Sequence, residues 1–405
     1  MTSWMIVVAL FGADLSQTQQ WPVFRGNGQS LTTAKDLPLN WSAEKNIAWK
    51  QDLKGYGQSS PVVWGERVFV TSADGKEKEN LVIAAVNLTT GQPEWSKSFP
   101  ASTKIPVSDY VSRSAPTPAV DADRVYAFFE SGDLIALDHK GNEVWKRSLK
   151  SDYGAFEGNH GLGSSPALTK NAVVVLADHS GPSYLIGLDK KTGKTLWKTD
   201  RKPRVSWSSP IVVETPQGER IFLSSNGSVE AFNAKGEQIW EVTDVERNTV
   251  ASPTVTEDFV VIGSSQVGNN FAIKRGGTGD VTGSHIAWRN REATSSFGSP
   301  LVHQGRVYFV NRSGGVVCAD LKTGDTLWKE RLPGSCWASP VGAGDRIYFF
   351  TKDGTTTVMA SSDEKKTLAE NPLPTTDRIY GVACLDGCIL IRTGSQLLCI
   401  RESKS

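Results

Sequence analysis

Three residue types that often ligate metals are scarce in this sequence: five cysteines, five histidines and three methionines in 405 residues. Cys318, Cys336, Cys384, Cys388 and Cys399 all fall in the last quarter, too few and too scattered for a disulfide framework, and an odd count leaves at least one thiol free. His139, His160, His179, His285 and His303 are dispersed, with no His-x-x-x-His or Cys-x-x-Cys spacing, which argues against a metal centre. No G-x-S-x-G elbow occurs, so the sequence offers no marked serine nucleophile. The glycine-rich stretch Gly276–Gly283 fits neither the spacing nor the strand-to-helix context of a phosphate-binding loop and reads as a flexible insertion. An excess of charge of either sign is missing too. With 44 basic and 43 acidic residues there is no electrostatic case for nucleic acid or an anionic membrane as partner. Beyond the N-terminus no apolar run approaches the ~18 residues of a membrane span, and no helical period is sustained.

The N-terminus does carry a short apolar run, Trp4 to Phe11, followed by small and polar residues. It reads as the centre of a signal peptide over residues 1–20, which places the remaining domain, 21–405, outside the cytoplasm. The run lacks a preceding Lys or Arg and a clear cleavage site, so a buried N-terminal strand is the competing reading. No cysteine follows it, which argues against a lipid anchor.

What is abundant is glycine, 38 copies, and tryptophan, 13, a bias suited to tight turns and aromatic anchors. Their placement is periodic. A Ser/Thr-Pro element followed by apolar residues recurs at Ser60-Pro61, Thr117-Pro118, Ser165-Pro166, Ser209-Pro210, Ser252-Pro253, Ser299-Pro300 and Ser339-Pro340, with a degenerate copy at Gly381-Val382-Ala383. Spacings of 40 to 57 residues fall in the range of propeller blades. In the third copy, Ala172–Ala177 and Tyr184–Leu188 read as strands, and Asp189-Lys190-Lys191-Thr192-Gly193 as a turn into a third strand ending at Trp197. Pro thus opens an inner strand, where a lost ladder donor costs little, and Trp closes an outer one. Trp95, Trp145, Trp197, Trp240, Trp288 and Trp328 share that outer position, and the seventh copy places Leu368 there. The eighth copy ends at Leu398-Cys399-Ile400 without an outer strand, while Asn46-Ile47-Ala48-Trp49-Lys50 is an outer strand without a blade. Joining the two leaves no open sheet edge and predicts an all-β, eight-bladed propeller of four-stranded antiparallel blades, its last blade closed by the N-terminal strand.

The pattern S-x-P…V-Y…G-x-L-x-A-L-D-x-x-T-G-x-x-x-W, cleanest over Ser165–Trp197 and Ser299–Trp328, resembles the PQQ-like propeller repeat across about residues 41 to 400. That family includes quinoprotein alcohol dehydrogenases and the BamB-like outer-membrane assembly factors. The length is nearer the latter. The resemblance to the dehydrogenases implies a quinone held between a Trp floor and two adjacent, disulfide-bonded cysteines beside a calcium ion. No adjacent cysteine pair exists here, since Cys384 and Cys388 flank a hairpin at Asp386-Gly387, so no cofactor is expected.

Loop residues just before each Pro converge at one end of the channel that the inner strands surround. Trp207, Phe297 and Trp337 stand three residues before their Pro, with Tyr56, Arg113, His160 and Arg247 nearby. Aromatics with arginines can form a ligand or peptide pocket, or simply plug the mouth. Cys318 and Cys399 occupy a position where other copies have Ala136, Gly187, Ala231 and Ala272, which reads as packing rather than redox chemistry. The expectation is a monomeric, non-catalytic extracytoplasmic scaffold that holds protein partners of the cell envelope through its rim and the insertions Ser96–Thr117 and Val267–His285. The alternative is a PQQ-dependent, calcium-requiring oxidoreductase.

Overall fold

The computed structural model describes residues 19–34, 36–105, 113–158, 161–375 and 377–402, and the apolar leader run lies outside them. Eight sheets follow one another in a ring. The third blade is typical: inner strand Ala167–Leu168, then Ala172–Ala177, Ser183–Asp189 and outer strand Thr195–Arg201, each antiparallel to the last. The last blade is built from Ile379–Leu385, Cys388–Thr393 and Gln396–Arg401, and its outer strand is Ile47–Asp52 from the N-terminal side, antiparallel to Gln396–Arg401. That pairing gives an otherwise bare edge its ladder partners and joins the two ends of the chain.

The tryptophan register holds with two refinements. Trp197 is the third residue of its strand, which runs on to Arg201, so the Trp sits near the start of the outer strand rather than at its end. In the seventh blade a bulge after Val358 puts Ala369, not Leu368, opposite Val358 at the equivalent position. Trp49 fills that position in the eighth blade, across from Cys399. The small residue is needed because its cross-strand neighbour on the same face is the indole: Ala136 faces Trp145, Gly187 faces Trp197, Ala231 faces Trp240, Ala272 faces Trp288 and Cys318 faces Trp328.

Each of these rings also reaches the next blade. Trp95 donates its indole N–H to the His139 carbonyl, Trp145 to Lys190 and Trp288 to Leu321, at 2.8–3.0 Å, while Trp49 donates to Leu88 of the first blade and so repeats the joint across the closure. The Trp145 ring lies over Gly193, at the end of the Asp-x-x-Thr-Gly turn of the following blade, where φ is +69° and a Cβ would come within 2.7 Å of the ring. One glycine therefore serves both the turn and the blade-to-blade contact.

A second ring of contacts lies at the other end of the inner strands. The Ser60 N–H donates to the Thr117 hydroxyl, Thr117 to Ser165, Ser165 to Ser209, Ser209 to Ser252, Ser252 to Ser299 and Ser299 to Ser339, at 2.9–3.0 Å. The ring stops at the degenerate copy, where Gly381 has no hydroxyl to offer.

Two further segments do more than the repeat predicts. The glycine-rich insertion is not free: Gly279–Asp280 pairs in parallel with the outer strand Gln238–Val245 of the fourth blade, and Val281 is buried there. Residues 19–34 enter the channel from the end opposite the Ser/Thr-Pro elements. Gln20–Trp21 pairs with the inner strand Val62–Trp64, and Leu31–Thr32 pairs with the inner strand Val341–Ala343 of the seventh blade. Between them Arg25 spans the channel and donates to the carbonyls of Pro253 and Pro300. This segment is a plug rather than a blade.

Candidate functional site

The end of the channel opposite the entry of residues 19–34 is formed by the loops before each Ser/Thr-Pro element, and there the side chains form a continuous aromatic and cationic chain. The Arg113 guanidinium lies 5.0 Å from the centroid of Tyr56. The Tyr56 and Tyr380 hydroxyls are 2.8 Å apart, Tyr380 packs on Trp337 at 5.8 Å between centroids, and Trp337 packs on Phe297 at 5.1 Å. Arg378 covers the outer side of Trp337 at 5.2 Å. Burial, followed by the hydrogen bond to Tyr380, pushes the Tyr56 phenol well above its ordinary range, so it is a neutral donor or acceptor at any physiological pH.

Four of the seven residues expected at the mouth, Tyr56, Arg113, Phe297 and Trp337, thus belong to one assembly. Trp207 is held elsewhere on the rim: its indole donates to the Gly161 carbonyl at 2.9 Å and its ring lies against Gly163. Arg247 is exposed, its backbone takes positive φ at +55°, its carbonyl accepts from the Ser265 N–H, and among the described residues no ring lies under its guanidinium. His160 lies outside the described residues. Tyr380 and Arg378 escaped the sequence reading because they precede the degenerate eighth element, which has no Pro to mark it.

Beneath Tyr56 lies Arg392, fully buried in the second strand of the last blade. It donates to the Ser72 hydroxyl at 3.0 Å and to the Thr71 carbonyl at 3.4 Å, and burial lowers its pKa to about 9, so it remains a cation near neutrality. Three acidic groups on this side of the ring are paired with cations, while Asp377 accepts from the Ser395 hydroxyl and N–H. Glu130 binds the buried Lys78 at 3.0 Å and the Ser114 N–H, and Asp178 and Glu230 share Arg201, with Arg204 adding to Glu230 at 3.2 Å. Such pairs fix loops in place and leave little carboxylate for a metal. Among the described residues no group of three or more His, Cys, Asp or Glu side chains is placed to hold one.

The thiols are equally committed to packing. All five cysteines are buried and form no disulfide, and burial pushes Cys318 and Cys336 up to about 12 and Cys384 higher still, so these three stay protonated, whereas the hydrogen bond between Cys388 and Cys399 lowers the former and raises the latter. Between the collar and the plug the free space is about 50 Å³, against the ~300 Å³ and more of pockets that enclose drug-sized ligands. Together these features make a mouth suited to contact with apolar and anionic groups at its surface.

The chain matches the model of the family described as outer membrane protein assembly factor BamB over residues 13–180 and 141–367. It is 24% identical over 288 residues to the outer membrane protein assembly factor BamB of Moranella endobia, covering 67% of each chain. It is also 24% identical over 369 residues to a polyvinylalcohol dehydrogenase from a Pseudomonas species, covering 78% of this chain but only 52% of that enzyme. The crystal structure of BamB from Moraxella catarrhalis superposes with a TM-score of 0.64 at 15% identity, over 89% of this chain and 98% of that one. That likeness is one of fold. Among the described residues no helix is long and apolar enough to cross a membrane.

Proposed function

The chain belongs to the family described as outer membrane protein assembly factor BamB, and from that premise we propose that it is a monomeric, non-catalytic scaffold of the cell envelope that engages protein partners during outer-membrane assembly. The observation that carries this reading is a channel closed from both ends by the protein itself, with residues 19–34 at one end and the Tyr56–Tyr380–Trp337–Phe297 chain at the other. The plug leaves a cavity of about 310 Å³ against the inner strands of the first four blades but only about 50 Å³ under the collar, so the collar end presents its chemistry at the surface: an aromatic collar with Arg113 and Arg378, and outer strands around the rim. Apolar side chains one residue before the outer tryptophans, Val144, Leu196 and Leu327, are exposed on that rim and add contact area for a partner.

A second reading, a quinone-dependent oxidoreductase, is favoured by the similarity to polyvinylalcohol dehydrogenase. The residues of this chain support it poorly: no vicinal cysteine pair exists, Glu130, Asp178 and Glu230 are engaged with Lys78, Arg201 and Arg204, and the space under the collar is about 50 Å³. Two measurements on one preparation separate the readings. Cross-linking from position 337 in envelope membranes should trap components of outer-membrane assembly, whereas dye reduction in the presence of quinone and calcium should stay at background. Cofactor-dependent turnover with no specific cross-link reverses the assignment.

A further inference from the structure

We infer that the space between the plug and the collar is a binding site for a small monovalent anion, the size of chloride or formate, held by the Arg25 guanidinium and the Trp21 indole N–H. Arg25 is 3% exposed, and its partners are all neutral: the Ser30 and Thr254 hydroxyls and the Pro253 and Pro300 carbonyls. No carboxylate pairs with it among the described residues. Burial lowers its pKa to about 9, which leaves it charged near neutrality. A buried charge without a counter-charge is among the more costly arrangements a protein can hold, and a protein normally meets it with an opposite charge.

Trp21 supplies the second, independent observation. Its ring is 2% exposed and its indole N–H is buried with no acceptor, although the tryptophans of the blade register, such as Trp145, satisfy theirs on a carbonyl. Both Trp21 and Arg25 line the cavity of about 50 Å³ under Phe297, Trp337 and Tyr380. The other residues with polar side chains that border it are Ser30, Ser60, Ser339, Tyr380 and Trp337, and none of its lining residues is acidic. A cavity of that size takes a monatomic halide or a one-carbon carboxylate and excludes larger acids. A water molecule can satisfy the indole but not the charge. The inference concerns the inside of the channel and does not depend on the scaffold reading.

The test is thermal unfolding of the full chain in sodium bromide, sodium formate and sodium gluconate at constant ionic strength, beside anomalous diffraction from crystals soaked in bromide. Bromide and formate should each raise the melting temperature along a saturating curve by mass action, and gluconate, too large to enter, should not. Trp21→Phe keeps the ring and removes the donor, and should raise the half-saturating bromide concentration about tenfold or more, as expected for one hydrogen bond to a charged acceptor. Arg25→Gln should abolish the saturable effect. If that variant does not fold, Trp21→Phe and the diffraction experiment decide alone. A bromide peak within contact of Arg25 and Trp21, displaced by formate, identifies the site. Equal stabilisation by gluconate, an unchanged curve in Trp21→Phe, or bromide-soaked crystals without a peak in the cavity overturns the inference.

Discussion

The Tyr56 and Tyr380 hydroxyls meet at 2.8 Å across the seam between the first and last blades, beyond the run of Ser/Thr hydrogen bonds that links the first blade through to the seventh. At this seam a pair of phenols supplies a side-chain hydrogen bond between blades. Tyr380→Phe should therefore cost about 1 kcal/mol, the usual worth of one partly buried hydrogen bond, and Tyr56→Phe about the same. Because each change breaks the same bond, the double variant should cost clearly less than the sum of the two by denaturant titration. Additive losses would mean that the hydroxyls do not interact in solution.

Blade-to-blade anchoring is graded by burial. Trp240 is 2% exposed and donates to the Arg275 carbonyl, so Trp240→Ala should cost about 3–5 kcal/mol. Trp197 occupies the same register but is only half-buried, and Trp197→Ala should cost less. The repeat alone makes the two sites equal; the structure ranks them, and unfolding free energies of the two variants check the ranking.

Closure and plugging can be separated by length. Deleting residues up to Ala34 removes the plug but keeps the strand Ile47–Asp52, and should give a folded, monomeric, less stable protein. Deleting up to Lys50 takes most of that strand as well and bares the edge of Gln396–Arg401, so aggregation should follow. Light scattering distinguishes the two. A monomeric and equally stable protein from the longer deletion would contradict the closure.

Acid lability should trace in part to His179. Its Nδ1 accepts from the N–H groups of Glu157 and Gly181, so this nitrogen is unprotonated, and burial holds the imidazole pKa below its ordinary value. The unfolded chain then binds a proton that the folded one refuses. Stability is present above the unfolded pKa of about 6.5 and is lost as pH falls below it towards the folded value. His139 and His303 are shifted downward by burial as well and add to the same slope. His179→Asn keeps an acceptor near the Nδ1 position and cannot take up the proton, so the stability of this variant should depend less on pH between about 5 and 6.5 than that of the wild type.

Most of the architecture could be read from the residues because repetition multiplies each weak local signal. One Ser-Pro or one Asp-x-x-Thr-Gly turn means little, but the same grammar with Trp at a fixed distance gives blade number, strand order and closure. What stayed hidden has no repeat to reveal it. Residues 19–34 fill the channel through contacts such as Arg25 to Pro253, 228 positions away, and nothing local to Arg25 announces them. The parallel pairing of Gly279–Asp280 is likewise decided by the neighbouring blade. The collar is half legible: Phe297 and Trp337 are marked by the Pro three residues on, Tyr380 before a degenerate element is not, and Trp207 shows that the same distance to a Pro does not settle which neighbours a ring meets.

The two rim tryptophans offer the sharpest check on function, because they are held differently. Trp207 is fixed by its indole bond to Gly161 at 2.9 Å and by its ring contact with Gly163, so Trp207→Ala should lower the melting temperature and leave partner binding intact. Trp337 lies in the collar between Phe297, Tyr380 and Arg378, where a large half-exposed ring contributes contact area at the surface and anchors no strand. Trp337→Ala should therefore weaken capture of envelope partners at least tenfold while changing the melting temperature little, as expected of a recognition residue carried on a loop. Arg378→Ala, which removes only the cation over that ring, should weaken capture to a smaller degree. If Trp337→Ala lowers the melting temperature as Trp207→Ala does and capture is unaffected, the collar is a plug and partners bind on the outer rim, where Leu196 and Leu327 are the next residues to change.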